Sequence, residues 1–248
     1  MGKFELITFA NASQLADEVA AAWLEEIRCA WLAGRPHFVA LSGGRIAAKF
    51  FESVVQATKL RRASFGHVHF FWSDERCVPP EDSQSNFQLA ARRLLGPLGI
   101  SSAQIHRIRT ELGPAAAAAD AEAELRSVVP VNVDGQPVLD LVFLGMGEDG
   151  HIASLFPGEP VEVAGSSAVY RAVTGPKPPF ARVTMGYKTL AAAHRVWVLV
   201  AGEGKAAPLR ASLGQSGNTP LATPLARLLA LRPLTRIYAE HSLVRQPA

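Results

Sequence analysis

Apolar residues follow two alternating rhythms along this chain. Leu15, Val19, Trp23, Ile27 and Ala30 recur at spacings of three and four, which puts them on one face of a helix. Asn11 and Gln14 offer a capping box in front of that helix, and Gly34 marks its end. Further helices are predicted over 45–58, 87–95, 115–128 and 223–231, the third alanine-rich and starting beside Pro114. Between them lie short, mostly apolar, β-prone runs at 4–9, 37–41, 67–72, 138–144, 169–173, 182–187, 196–200 and 234–239, with a possible short strand at 105–108. Of these, the almost unbroken apolar run 138–144 and the run 37–41 have the make-up of strands buried on both faces, the habit of a parallel sheet.

Strands alternating with helices imply an α/β fold. The expected form is three-layer and Rossmann-like: a mostly parallel sheet, helices on both faces and right-handed crossovers. The richest Pro/Gly stretch, 175–179, is short and runs at once into strand-like sequence, so residues 1–248 are read as one domain.

Composition narrows the partners. Hydrophobic residues make up 48% and charged residues 19%, the balance of an ordinary globular protein. The net charge of +3 is the small difference between 25 basic and 22 acidic residues, and the pairs Arg61-Arg62 and Arg92-Arg93 lack interleaved aromatics, so no nucleic-acid partner is expected. Two cysteines, Cys29 and Cys77, give neither a disulfide framework nor a zinc motif, which suits a reducing cytoplasm. The start, M-G-K-F-E-L, has no apolar core for a signal peptide and places Leu where a myristoylation motif needs Ser or Thr. No segment reaches the ~18 uninterrupted apolar residues of a membrane span.

The chemistry gathers at strand ends. The run 138–144 leads into Gly145, Gly147 and Gly150, with Glu148, Asp149 and His151 between and after them. In open α/β sheets ligands bind beyond the carboxyl ends of strands, so an acid and an imidazole two residues apart at that point are candidate catalytic groups. The same stretch fits G-x-G-x-x-G. A dinucleotide fingerprint needs a helix directly behind it, however, and Pro157, Gly158 and Pro160 break the chain there. Ser42-Gly43-Gly44, between a strand and a helix start, is a natural anion turn, because free backbone N–H groups point at whatever sits over the glycines. Ser73-Asp74-Glu75-Arg76 follows an aromatic strand, and Gly202-Glu203-Gly204-Lys205 carries a cation into another helix.

Taken together, three blocks resemble one family. Ser73 to Pro79 with Ser85-Asn86, the block from Gly145 to Pro157, and Pro178-Pro179-x-x-Arg182 followed by Gly202-x-Gly204-Lys205-Ala206 are similar to the signature segments of 6-phosphogluconolactonases. The related glucosamine-6-phosphate deaminases share the D-G-H-I-A core but carry Glu five residues after the histidine, where this chain has Phe156. The resemblance implies the deaminase/lactonase type of α/β fold and metal-free hydrolysis of 6-phosphoglucono-δ-lactone in the oxidative pentose phosphate pathway, with no cofactor.

It also implies roles. His151 would take a proton from the attacking water, Asp149 or Asp74 would orient the ring or the water, and Arg76 would stabilise charge on the lactone oxygen. Arg182 and Lys205, with Ser42, Gly43, Gly44 and Arg45, would hold the 6-phosphate. The expected partner is a small phosphorylated sugar lactone, and the expected assembly a monomer or weak homodimer.

One block departs from the family. Where the family usually reads S-G-G-S-T-P, this chain reads Ser42-Gly43-Gly44-Arg45-Ile46-Ala47. The hydroxyl at position 46 and the helix-starting proline are gone, while backbone donors remain and Arg45 adds a charge. A phosphosugar-binding paralogue without catalysis or with another substrate therefore stays open, as does metal-assisted hydrolysis through Asp74, Asp149 and His151.

Overall fold

The computed structural model describes residues 3–61, 63–214 and 223–244. Nine strands are present among them: β1 (Lys3–Phe9), β2 (His37–Leu41), β3 (Val68–Trp72), β4 (Asp74–Arg76), β5 (Leu141–Gly145), β6 (Tyr170–Thr174), β7 (Ala181–Met185), β8 (Arg195–Val200) and β9 (Leu234–Glu240). The main helices are α1 (Ala12–Leu32), α2 (Arg45–Arg61), α3 (Asn86–Ala90), α4 (Pro114–Val128), α5 (Val161–Ala164), α6 (Tyr187–Ala192), α7 (Ala206–Ser212), α8 (Pro224–Leu231) and α9 (His241–Val244). Six strands form one sheet in the order β1-β9-β8-β5-β2-β3, every neighbouring pair parallel. Helices flank it, giving the three-layer α/β architecture that the alternating pattern predicts.

The helical stripe Leu15, Val19, Trp23, Ile27 and Ala30 is fully buried. Trp23 is its anchor, packing edge-on against Phe143 and Phe70 at ring distances of 5.2 and 6.4 Å. Asn11 caps α1 by accepting from the backbone of Ser13 and Gln14, while the Gln14 side chain accepts from the backbone of Ala10, one residue before the cap.

Chain order sets the position of the site. From β2 the chain runs outward to β3, whereas from β5 it runs the other way to β8 and β9. Strands β2 and β5 are adjacent, so their carboxyl ends flank the point at which the winding reverses, where open α/β sheets leave a crevice.

A second sheet, antiparallel in the order β4-β7-β6, departs from the simple alternation. Ser73 is the hinge. Its N–H donates to Leu41 O in the large sheet (2.8 Å), while its carbonyl accepts from Met185 N in the small one (2.8 Å). The polar block after β3 is therefore a strand that changes sheets.

Three predicted strands lose two or more residues. Of 105–108 only Ile105 pairs, in a single bridge to Phe70. In 138–144 the strand begins at Leu141, because Val138 N donates to Pro130 O and the Asp140 carboxylate is occupied with the Phe38 N–H (2.8 Å) and Arg35 (2.6 Å). In 182–187 the pairing stops at Met185, and Tyr187 instead opens α6 behind Gly186.

Trp23 also fixes a protonation state. Its indole N–H donates to Nε2 of buried His37 (3.2 Å), which a protonated ring could not accept. Burial pushes His37 down to about 4, against the pull of nearby Asp140. The unfolded chain takes up this proton near the ordinary value of 6.5, so the stabilisation is full above that pH and is lost as pH falls toward 4. Unfolding free energy in urea should drop by up to about 3 kcal/mol over that interval. His37→Gln should remove most of the slope, and equal slopes in the two proteins would contradict the assignment.

Candidate active site

At the end of β5 the chain folds back on itself within a few residues. Gly147 N donates to His151 O (2.8 Å) and Gly150 N to Gly147 O (3.0 Å), and Met146 bridges Ile152. No helix follows until α5, so the dinucleotide reading of the glycines has no support from the backbone. This tight turn brings the Asp149 carboxylate to the imidazole: Oδ1 lies 2.5 Å from His151 Nδ1 and also accepts from the His151 backbone at 3.2 Å. A side chain at position 147 would collide with both partners, so any residue but glycine there would push the pair apart. Partial burial works against ionisation of Asp149, but the attraction and hydrogen bonds of His151 prevail and hold the carboxyl below its ordinary range. An ionised carboxylate can only accept, so Nδ1 carries the proton, and Nε2 of the neutral ring is left as the basic atom.

The turn is tied to the second sheet. Ser154 Oγ donates to Asp74 Oδ2 (2.6 Å), and Ser154 N donates to Thr184 Oγ1 (3.2 Å). The other Asp74 oxygen accepts from Asn86 Nδ2 (3.2 Å), whose amide also reaches the Asp74 carbonyl (2.9 Å). Both Asp74 oxygens are thus engaged, and the residue fastens the histidine loop to β4. Glu75, next along, accepts from the backbone of Arg76, Asn86 and Phe87 at 2.7 Å each and from Ser85 Oγ at 3.0 Å. Burial pushes its carboxyl up despite those donors. It pins the start of α3 beneath β4, and α3 in turn presents Asn86 to Gly43, where any side chain would overlap the Asn86 amide.

A cleft of about 330 Å³ opens over these strand ends. Ser42, Gly43, Gly44, Arg45, Asp74, Arg76, Asp149, His151 and Lys205 all line it, so the structure brings together the sequence-predicted site residues with one exception. Arg182 is withdrawn. It is buried, its Nε donates to Pro179 O (3.0 Å), and its guanidinium lies 5.5 Å from the centre of the Phe156 ring. Phe156 in turn packs against His151 at 5.1 Å, so Arg182 stands one ring behind the imidazole. It pairs in register with Arg76 across the β4–β7 ladder. Burial, then the charge of Arg76, push Arg182 below its ordinary value, while Asp74 and Asp149 pull the other way.

Lys205 is buried at the other side, and desolvation, with the charge of Arg45, holds it below its ordinary value against Glu148 and Glu240. Arg76 donates through Nη1 to Gln84 O (2.7 Å), and its buried Nε finds no partner among the described residues. Among those residues, no group of three or more His, Cys, Asp or Glu side chains is arranged to hold a metal ion.

A family model described as glucosamine-6-phosphate isomerases/6-phosphogluconolactonase matches residues 10–235. The chain belongs to that family. It is 35% identical to 6-phosphogluconolactonase 3, chloroplastic, of Arabidopsis thaliana over 188 residues, which make up 73% of this chain and 58% of that relative. It is 37% identical to a 6-phosphogluconolactonase of Treponema pallidum over 68% of each chain. The solved 6-phosphogluconolactonase of Trypanosoma brucei superposes with a TM-score of 0.82 at 25% identity, covering 98% of both chains.

Within this family member, sequence reasoning passed over Lys177 and Asn86 as site residues, and both line the cleft. Lys177 sits in a proline-rich loop that reads as a connector, and Asn86 reads as a helix start. The one available signal for Asn86 was the Ser85-Asn86 pair that accompanies the Asp74 block. Glu75 has the clearest energetic consequence. Glu75→Gln would set an amide against four donors and should cost about 2 kcal/mol or more in urea-unfolding free energy. A loss under about 0.5 kcal/mol would show that the carboxylate does not hold α3 to β4.

Proposed function

We propose that this chain hydrolyses 6-phosphoglucono-δ-lactone to 6-phosphogluconate, the reaction named for its relatives. The observation that carries this reading is one cleft lined by a carboxylate-oriented imidazole, His151 with Asp149, together with Lys205 and the Ser42-Gly43-Gly44 turn. His151 Nε2 takes a proton from water as the water oxygen attacks the lactone carbonyl. The bond from that carbon to the ring oxygen then breaks, the ring oxygen is protonated, and the new carboxylic acid ionises, so each turnover releases one proton. Asp149 keeps the imidazole in the required tautomer and orientation as the proton moves. Arg76, whose Nε has no partner among the described residues, stabilises the negative charge that builds on the carbonyl oxygen.

Phosphate is held by Lys205, Arg45 and the free N–H groups at the start of α2. Arg182, set behind Phe156, contributes through its field rather than by direct contact. Asp74 positions the histidine loop, so orientation of the base falls to Asp149. Phe156 favours lactone hydrolysis over deamination, because an apolar ring packs on His151 where the deaminases of the family carry an acid. The reading extends to residues 1–248 acting as one domain, as a monomer or weak homodimer in the cytoplasm. Among the described residues no helix is long and apolar enough to cross a membrane.

Proton release on addition of freshly generated 6-phosphoglucono-δ-lactone should run well ahead of spontaneous hydrolysis. His151→Ala should lower the catalysed rate by about a hundredfold or more. An unchanged rate in that variant would remove the assigned base, and a wild-type rate no faster than spontaneous opening would remove the substrate.

A further inference from the structure

The cationic side of the cleft already holds an anion that belongs to the chain. Glu148 Oε1 accepts from Arg45 Nη2 at 3.0 Å, linking the loop after β5 to the first residue of α2. The same carboxylate lies over Gly204, where an added Cβ would come within 2.9 Å of Glu148 Cδ. Glu148 therefore straps the Gly44-Arg45 turn to the Gly202–Lys205 turn, the two cationic turns of the cleft. Beneath the strap is Lys205, only 8% exposed, whose ammonium makes no hydrogen bond or ion pair among the described residues. The first turn of α2 contains no acidic residue. A largely buried lysine whose ammonium is unpartnered, beside a helix start that carries no acidic residue, is a site built for an anion, and the Glu148 carboxylate already stands at it.

We propose that Glu148 is a displaceable stand-in for the substrate's phosphate, and that Arg45 changes partner from Glu148 to that phosphate as the ligand enters. This rests on the reading that this side of the cleft receives the phosphate group. The exchange is cheap in the free protein: Arg45 and Glu148 side chains are 83% and 62% exposed, and ion pairs so exposed contribute little. It is also selective. A singly charged anion brings no more charge than the carboxylate it would displace, whereas a phosphate monoester brings close to two charges and three acceptor oxygens to Arg45, Lys205 and the helix N-terminus at once. Arg45 thus takes over part of what a hydroxyl at position 46 would do, and Glu148 sets how much charge a ligand must carry.

Calorimetric titration with inorganic phosphate at low ionic strength tests this without any turnover. Glu148→Gln should bind phosphate about three- to fivefold tighter than wild type, and Arg45→Ala should bind it more weakly. In Arg45→Ala, the further change Glu148→Gln should have a smaller effect than in wild type. Lys205→Ala should weaken binding about tenfold or more. If Lys205→Ala weakens binding while Glu148→Gln leaves it unchanged, the strap is overturned and the phosphate site stands. If phosphate affinity is indifferent to both residues, the phosphate site falls as well.

Discussion

The site depends on a single hydrogen bond, from the imidazole Nδ1 of His151 to the Asp149 carboxylate two residues earlier. Such a contact within three residues is sterically difficult. It exists because Gly147 presents no side chain to the pair and because the backbone closes on itself between residues 147 and 151. The bond settles which ring nitrogen is free, and burial does not overcome it, since the Asp149 carboxyl stays below its ordinary range. A histidine placed elsewhere on this loop would lack both tautomer and orientation.

That turn could not hold its place alone, and the second sheet supplies the frame. Ser73 passes the chain from β3 to β4, Asp74 accepts from Ser154, and Glu75 collects three donors from the start of α3 and fixes it. The consequence reaches across the cleft: α3 sets Asn86 against Gly43, so the histidine loop and the anion turn are registered through one buried polar network. Networks of this kind rigidify when every member is satisfied. The parallel sheet supplies the site's location, because its winding reverses between β2 and β5, and the small antiparallel sheet supplies its precision.

Much of this was legible in the residues. The helical stripe from Leu15 to Ala30 and the buried runs of β2 and β8 declare themselves by period and composition, because burial on one or both faces leaves a regular mark. The glycine turns at the ends of β2, β5 and β8 were equally visible, since glycines beside charged groups are rare inside regular elements. What could not be read was pairing. Asp74, Glu75 and Arg76 form a strand only because β7, more than a hundred residues later, lies beside them, and three polar residues carry no strand signature of their own. Arg182 was placed correctly on a strand but not at its depth, because its withdrawal depends on Phe156 and Pro179. Asp140 shortened the run 138–144 by engaging its carboxylate with the neighbouring strand.

The physical claim beneath the proposed reaction is that one cleft grips a phosphate on its lysine side and presents the imidazole to the far end of the same small molecule. A crystal structure with 6-phosphogluconate bound measures this most directly. The phosphate is expected between Lys205, Arg45 and the Ser42-Gly43-Gly44 turn, with the C1 carboxylate at His151. A phosphate found between Arg76 and Arg182, with the carboxylate pointing away from His151, would contradict it.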